Sequence, residues 1–84
     1  MDIKKLITDL LTNLIDKKED LEIDISENYT DIFVKVKVDE SDMGKIIGKG
    51  GRLIEAIRNY AKAVSVKHWH KRIVIEVNKK QKNI

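Results

Sequence analysis

The stretch IIGKGG, residues 46–51, contains three of the four glycines of an 84-residue chain, with a lysine between the first two. Glycine lacks a Cβ atom, so its backbone can turn sharply and lets another molecule approach closely. A lysine in such a turn adds a positive charge at the same place. The stretch therefore suggests a phosphate-binding loop, and its spacing decides which kind.

Two common phosphate-binding motifs do not fit this spacing. The P-loop needs four residues between its glycines, but three separate Gly44 from Gly48, and Gly50 stands where Ser or Thr should hold magnesium. The dinucleotide fingerprint needs a third glycine where Leu53 stands. A G-x-x-G turn from Gly48 to Gly51 remains, although a plain helix–turn–helix corner also favours glycine.

The residues on both sides of the turn predict helices. Asp39 or Ser41 can cap a short helix that ends at the glycines. After the glycines, helical spacing of apolar residues marks a second helix, with Ile54, Ile57, Ala61 and Val64 on one face. Gly51 and Arg52 open this second helix, and the free N–H groups at a helix start favour phosphate.

The rest of the chain predicts a sheet with one further helix. Apolar spacing over residues 3–15 predicts the helix, and strict alternation in LEIDI (21–25) and IFVKVKV (32–38) predicts a hairpin. The segment SVKHWHKR (65–72) is interpreted as a loop running into a last strand, RIVIEV (72–77). Two helices join the second and third strands, which makes those strands parallel. The fold class is therefore a two-layer α+β domain, with a three-stranded mixed sheet and three helices on one face.

The stretch KIIGKGGRLIEAI, residues 45–57, closely resembles the signature of KH domains, which is a hydrophobic pair, G-x-x-G and then spaced apolar residues. A helix and a strand precede this core, so the chain is similar to the type II, prokaryotic KH fold with the order α-β-β-α-α-β. The resemblance covers roughly residues 2–77. We predict a single KH domain over residues 1–78, followed by a flexible basic tail at 79–84.

This resemblance implies a small bacterial RNA-binding protein of the cytoplasm. In KH domains the loop clamps a backbone of about four nucleotides of single-stranded nucleic acid. The implied partners are single-stranded RNA and either a second copy of the chain or another RNA-binding protein, with a role as a regulator or chaperone of RNA. Carried onto this chain, the RNA-binding residues are Lys45, Ile46, Ile47, Gly48, Lys49, Gly50, Gly51, Arg52, Ile54, Lys71 and Arg72. The three isoleucines supply either the groove or the core.

The segment before the last strand should form the other wall of the RNA groove. It places Trp69 among basic residues, including Lys71 and Arg72. Trp69 can stack on a base, or it can pack at the sheet edge or at a dimer contact. His68 and His70 could share one side of a strand, but they have no evident third metal ligand. We therefore expect no metal and no cofactor.

Charge and composition indicate which classes of function are compatible with the sequence. Residues 1–42 contain 6 Lys or Arg and 12 Asp or Glu, a net −6, whereas residues 43–84 contain 11 and 2, a net +9. A basic half suggests a polyanionic partner, with single-stranded DNA still open beside RNA. The chain has no cysteine, and no segment of its sequence is able to span a membrane. No set of catalytic residues can be assembled from the sequence, so an enzyme is not expected. The rival interpretation is a protein–protein assembly module with only incidental nucleic-acid binding.

Overall fold

Alternating apolar side chains build a three-stranded sheet in the computed structural model, which describes residues 2–81. Strand β1 is Glu22–Glu27, β2 is Asp31–Val38 and β3 is Arg72–Lys79. Strand β2 lies in the centre, where it pairs antiparallel with β1 and parallel with β3. The predicted hairpin and the predicted parallel pair are both confirmed.

Three helices cover one face of this sheet. Helix α1 spans Ile3–Thr12, α2 spans Glu40–Ile47 and α3 spans Arg52–His68, and short 3-10 turns lie at Lys18–Asp20 and Lys49–Gly51. The α+β class and the order α-β-β-α-α-β predicted for a type II KH domain are therefore confirmed. Within residues 2–81, no helix is both long and apolar enough to cross a membrane.

The hydrophobic core lies between the helices and a single face of the sheet. Every second side chain of β2, from Ile32 to Val38, is buried, whereas Phe33, Lys35 and Lys37 are exposed on the open face. The helices contribute core side chains at spacings of three and four residues, among them Ile7, Leu11, Ile46, Ile54, Ile57 and Ala61. The spacing that predicted the helices thus also fixes which side of each one packs.

Helix α3 is longer than the sequence predicted. The loop expected from Ser65 onward was wrong, because α3 continues through His68. Ser65 lies one turn after Ala61 and is fully buried, so it extends the buried stripe of the helix. Its hydroxyl donates a hydrogen bond to the carbonyl of Lys71 at 2.6 Å, which satisfies the buried oxygen and closes the turn into β3.

Helix α1 is shorter than its apolar pattern, which runs on to Ile15. The helix ends at Thr12, and the side-chain amide of Asn13 donates to the carbonyl of Asp9 at 3.1 Å. Such a bond competes with the helical hydrogen-bond ladder. Ile15 is nevertheless buried, because the chain beyond the helix still packs on the core.

The connection from β2 to β3 separates the predicted site residues into two groups. The glycine loop lies at the start of α3, while Lys71 and Arg72 follow its end. Since α3 has 17 residues, its length is about 25 Å.

At the other end of β3 the amide of Lys80 donates to the carbonyl of Val38 at 2.7 Å. Residues 82–84 of the predicted basic tail lie outside the described residues.

Candidate nucleic-acid interface

Gly48 ends α2 in a conformation that requires glycine. Its backbone has φ 75° and ψ 175°, a region that side chains exclude. A Cβ atom at this position would lie 2.6 Å from the Cβ of Leu53 and 3.0 Å from its amide nitrogen. The close packing of α2 against the start of α3 therefore depends on the missing side chain.

The other two loop glycines shape the exposed tip. Gly50 and Gly51 have φ of 64° and 77°, and a Cβ atom on either one would meet no atom within 4 Å. The amide of Gly51 donates to the carbonyl of Gly48 at 3.2 Å, which closes the turn. Lys49 and Gly50 are exposed, so the tip presents backbone and one cation to solvent.

The start of α3 lies at the tip, where the amide of Arg52 donates to the carbonyl of Lys49. Gly51 is the N-cap residue and offers no side chain to accept from the first amides of the helix. Those amides and the helix dipole create a positive potential at this end. Arg52, the first residue of α3, is exposed beside them. This arrangement suits an anion such as a phosphate group.

The predicted cations near the loop differ in availability. In the described part of the chain, neither Lys49 nor Arg52 forms an ion pair. Lys45, by contrast, is paired with both Asp16 and Asp42. Hydrogen bonds to these two carboxylates, to Asp16 first, raise the pKa of Lys45. Lys49 and Arg52 are therefore the loop cations open to a ligand.

The two cations beyond α3 are also paired. The ammonium of Lys71 lies 3.0 Å from a carboxylate oxygen of Glu27, and Nε of Arg72 lies 2.9 Å from a carboxylate oxygen of Asp31. The hydroxyl of Thr30 and the Arg72 guanidinium together hold the pKa of Asp31 below its usual value. A ligand phosphate at this end would have to compete with these acids.

The three isoleucines divide between core and surface. Ile46 is fully buried and Ile54 is 6% exposed, so both belong to the core under the loop. Ile47 is partly buried and packs against that core. Of the three, Ile47 is the one with side-chain surface left for a ligand.

A buried carboxylate fixes α2, and with it the loop. Asp42 is fully buried, and its two oxygens accept the amides of Asp16 at 3.1 Å and Lys17 at 2.9 Å. These backbone hydrogen bonds hold the pKa of Asp42 below its usual value of 3.8. They tie the short helix to the segment after α1.

A groove missed by the sequence analysis runs beside α3. Strand β3 is an edge strand, and a cavity of about 240 Å³ lies between it and α3. Arg58, Lys62, Ile73, Val74 and Ile75 line this cavity. Arg58 and Lys62 are four residues apart and lie beside the apolar face of α3, and this spacing was the signal in the sequence that could have indicated the groove.

The groove begins close to the loop. Arg58 and Lys62 lie 7 and 11 residues after Gly51, which is about 10 and 16 Å along the helix. Nε of Arg58 donates to the carbonyl of Ile75 at 3.3 Å, so it bridges the two walls. Lys62 is exposed and forms no ion pair within residues 2–81.

Trp69 has a packing role at the end of α3. It caps the helix, is partly buried and packs against the core, which agrees with the packing alternative. Its ring lies 6.4 Å from that of His68 at a tilt of 57°. His70 has φ 55°, a left-handed conformation in the turn to β3. In the described range no group of three or more His, Cys, Asp or Glu could hold a metal ion.

Known proteins are similar in sequence to this chain over most of its length. Residues 4–77 match the family described as "KhpA/KhpB, KH domain". A relative from Clostridium perfringens is 37% identical over 75 residues, covering 89% of this chain and 99% of the relative. One from Listeria monocytogenes serovar 1/2a is 37% identical over 89% of this chain and 97% of its own. One from Caldanaerobacter subterraneus is 34% identical over 87% and 96%. All three are named "RNA-binding protein KhpA".

Proposed function

The chain belongs to the KhpA/KhpB KH-domain family, and from this premise we propose that it binds single-stranded RNA through the loop Gly48–Gly51. The names of its relatives, each an RNA-binding protein, support RNA as the ligand. The observation that carries the proposal is the loop itself, in which exposed backbone, the start of α3 and two unpaired cations converge.

In the proposed binding mode, one part of the protein contacts the phosphates of the strand and another part contacts its bases. Lys49, Arg52 and the first amides of α3 hold consecutive phosphates of one strand. The bases then lie along the groove between α3 and β3, with Arg58 and Lys62 at its rim. Ile46 and Ile54 support the loop from the core, and Ile47 contributes apolar surface.

Lys71 and Arg72 have a secondary place in this proposal. Each is engaged by an acid, so each contributes less than an unpaired cation when a phosphate arrives. They mark the far end of the groove, where the strand leaves the domain. Contacts to phosphate position the strand and carry no base information, so these cations set affinity and not sequence preference.

The biological role that we propose is that of a cytoplasmic regulator or chaperone of RNA, which carries out no catalysis. One domain of this kind contacts few nucleotides, so its own affinity is low. We therefore propose that the chain acts as a homodimer or together with a second RNA-binding protein, because linked sites bind more tightly through their effective concentration.

The loop is tested by reversing its charge. Lys49→Asp combined with Gly50→Asp should abolish binding of short single-stranded RNA of random sequence, while Tm stays close to that of the parent. Both positions are exposed, and Asp tolerates the left-handed backbone of residue 50 better than most residues. Duplex RNA of the same sequence should compete poorly, since the groove admits one strand.

The matched control is Lys4→Asp on α1, which changes the charge as much as Lys49→Asp does but lies at an exposed position far from the loop along the chain. It should leave RNA binding nearly unchanged. Parent-like binding by the double variant, or an equal loss in Lys4→Asp, would contradict the clamp and point to nonspecific attraction by the basic half.

A further inference from the structure

Strand β1 is an open edge of the sheet, on the side opposite the proposed RNA groove. The strand order is β1-β2-β3, so β1 has a neighbouring strand on one side only. The amide of Asn28 donates to the carbonyl of Asp31, and the antiparallel ladder alternates from this pair onward. Every second residue of β1, counted from Glu22, therefore directs its backbone groups to β2, while Ile23 and Ile25 direct theirs to the open edge.

These outward backbone groups are available for a further strand. Within residues 2–81, no hydrogen bond from a turn, loop or helix reaches the amide or the carbonyl of Ile23 or Ile25. A row of unpaired donors and acceptors at a sheet edge is a template for strand addition. The side chain of Ile23 is buried and that of Ile25 is half-buried, so packing on the core fixes the position of this edge.

A cavity of about 610 Å³ lies beside the edge, between β1 and α1. Its α1 side is lined by Lys4, Thr8, Thr12 and Lys18, and its β1 side by Leu21, Glu22, Ile23 and Asp24. Leu21 and Ile23 both pack with the hydrophobic core, so the cavity has an apolar floor. The space can therefore receive apolar side chains of an added strand on the side of the sheet that faces the helices.

Charge on the two sides of the edge specifies what an added strand should carry. On the open face of the sheet, β1 exposes Glu22 and Asp24. Glu22 is paired with Lys80 at 3.4 Å, whereas Asp24 forms no ion pair within residues 2–81. On the helix side, Lys4 and Lys18 repel cations. An added strand fits when its basic side chains point to the open face and its apolar side chains point into the cavity.

The strand that already pairs with β1 has this same alternation. In the register of the two strands, Lys35 of β2 lies opposite Asp24. Lys37 lies opposite Glu22 in the same way, and the valines beside these lysines are buried. A second β1 strand would not fit, because β1 carries three acids, the third being Glu27, and no cation. Charge therefore favours a basic strand from another protein over a second copy of this edge.

We propose that the outer edge of β1 binds, by strand addition, an extended segment of a partner protein in which basic and apolar residues alternate. The segment becomes the fourth strand of the sheet through backbone hydrogen bonds to Ile23 and Ile25. Its basic side chains lie beside Glu22 and Asp24. This site goes beyond the proposed function, because it lies across the sheet from the RNA groove and both can be occupied together.

A blocked heptapeptide of alternating valine and lysine is the probe. Amide hydrogen exchange of the full chain, followed by NMR, should slow at Ile23 and Ile25 when the peptide binds. The amide of Asp24 already faces β2, so its exchange should change much less. The same peptide with glutamate in place of lysine should not bind, because it meets two acids. A lysine peptide that is N-methylated along its backbone should also fail, since strand addition needs backbone hydrogen bonds.

Asp24→Lys tests the charge of the edge. This variant should bind the lysine peptide about three- to tenfold more weakly than the parent does, and it should bind the glutamate peptide. The matched control is Glu76→Lys, which makes the same change of charge at an exposed acid on β3, the opposite edge strand. It should bind the lysine peptide as the parent does.

Three results would overturn this assignment. Unchanged exchange of Ile23 and Ile25 at millimolar peptide would mean that the acids only protect a bare edge from pairing. Slower exchange at rising protein concentration, without peptide, would mean that a second copy covers the edge. Equal binding of the two peptides, or equal effects of the two variants, would exclude recognition by charge. If the parent still binds RNA through its loop beside any of these results, the proposed function stands and only the peptide site fails.

Discussion

Gly48 and Gly50 are both loop glycines, but they serve different purposes. Gly48 combines a backbone region closed to side chains with a 2.6 Å approach to Leu53, so both its conformation and its space require glycine. Gly50 has an ordinary left-handed conformation and open space around it. The first glycine of the loop is therefore structural, while the third residue of the loop is free to serve the ligand.

Alanine at these two positions should separate the roles. Gly48→Ala combines backbone strain with overpacking and should destabilise the protein by roughly 2–5 kcal/mol. Gly50→Ala should cost about 1 kcal/mol, the penalty of a left-handed alanine. Urea unfolding followed by circular dichroism measures both. Equal destabilisation by the two variants would contradict the packing of α2 against Leu53.

Helix α2 is held in place by its own sequence and by an anchor, which is the set of hydrogen bonds that the Asp42 carboxylate accepts from the backbone of Asp16 and Lys17. It begins at the N-cap Asp39, whose carboxylate accepts the amide of Ser41 at 3.0 Å. Asp42 then ties it to the backbone of Asp16 and Lys17. Because the loop follows directly after α2, this anchor determines where Lys49 is presented.

The anchor should make stability depend on pH in the acidic range. The folded protein keeps the pKa of Asp42 below 3.8, so just below that pH the unfolded chain binds more protons at this residue. The stability that this carboxylate contributes is thus fully present only well above the unfolded value of 3.8, and it is lost as pH falls through the folded pKa. Asp42→Asn should have a lower Tm than the parent at pH 7, and the difference should shrink toward pH 3.

Comparison with the variant isolates this one carboxylate. Asp31, whose pKa is also lowered, is present in both proteins, so its contribution cancels in the difference. Thermal unfolding of both proteins at several pH values is the measurement. A difference in Tm that stays constant from pH 7 to pH 3 would show that Asp42 contributes packing and not charge.

Local patterns predicted the elements, and long-range pairing limited the prediction of the site. Alternation and helical spacing act over a few residues, so the strands, the helices and the G-x-x-G turn could be read from the sequence. Lys45 meets Asp16 from 29 residues away, and Lys71 meets Glu27 from 44. No local signal in the sequence indicates such pairs, so the sequence analysis counted these lysines among the RNA-binding residues without their acidic partners.

For the whole domain, we predict that the proposed homodimer forms through the exposed outer side of α3. On the outer side of α3, Tyr60 is 51% exposed and lies between Ala56 and Ala63, one turn away on either side. Small residues beside an aromatic one allow a second helix to approach closely. Tyr60→Glu should shift a dimer toward monomer in sedimentation equilibrium at micromolar concentration.

Tyr29 provides the matched control for that experiment. It is 98% exposed at the tip of the hairpin, so Tyr29→Glu makes the same chemical change on another surface and should leave the association state as it was. A parent protein that sediments as a monomer, or equal effects of the two variants, would contradict assembly through α3.

The charge asymmetry of the whole molecule is best tested by salt. Single-strand binding loses about 0.7 in log affinity per log unit of salt for each phosphate neutralised. Lys49, Arg52 and Lys62 are the exposed, unpaired cations along the loop and groove, which gives a slope near −2 per domain. Lys49→Ala should reduce that slope by about 0.7 and weaken all sequences similarly, because phosphate contacts carry no base information.

Lys71→Ala is the control that distinguishes paired from unpaired cations. Since Lys71 lies 3.0 Å from Glu27, its removal should reduce the slope by much less than Lys49→Ala does. Fluorescence anisotropy with labelled single-stranded RNA, from low to physiological salt, measures both variants. A slope near −3.5 would mean that Lys71 and Arg72 break their ion pairs and also bind phosphates. A slope of zero would contradict any binding through phosphate contacts.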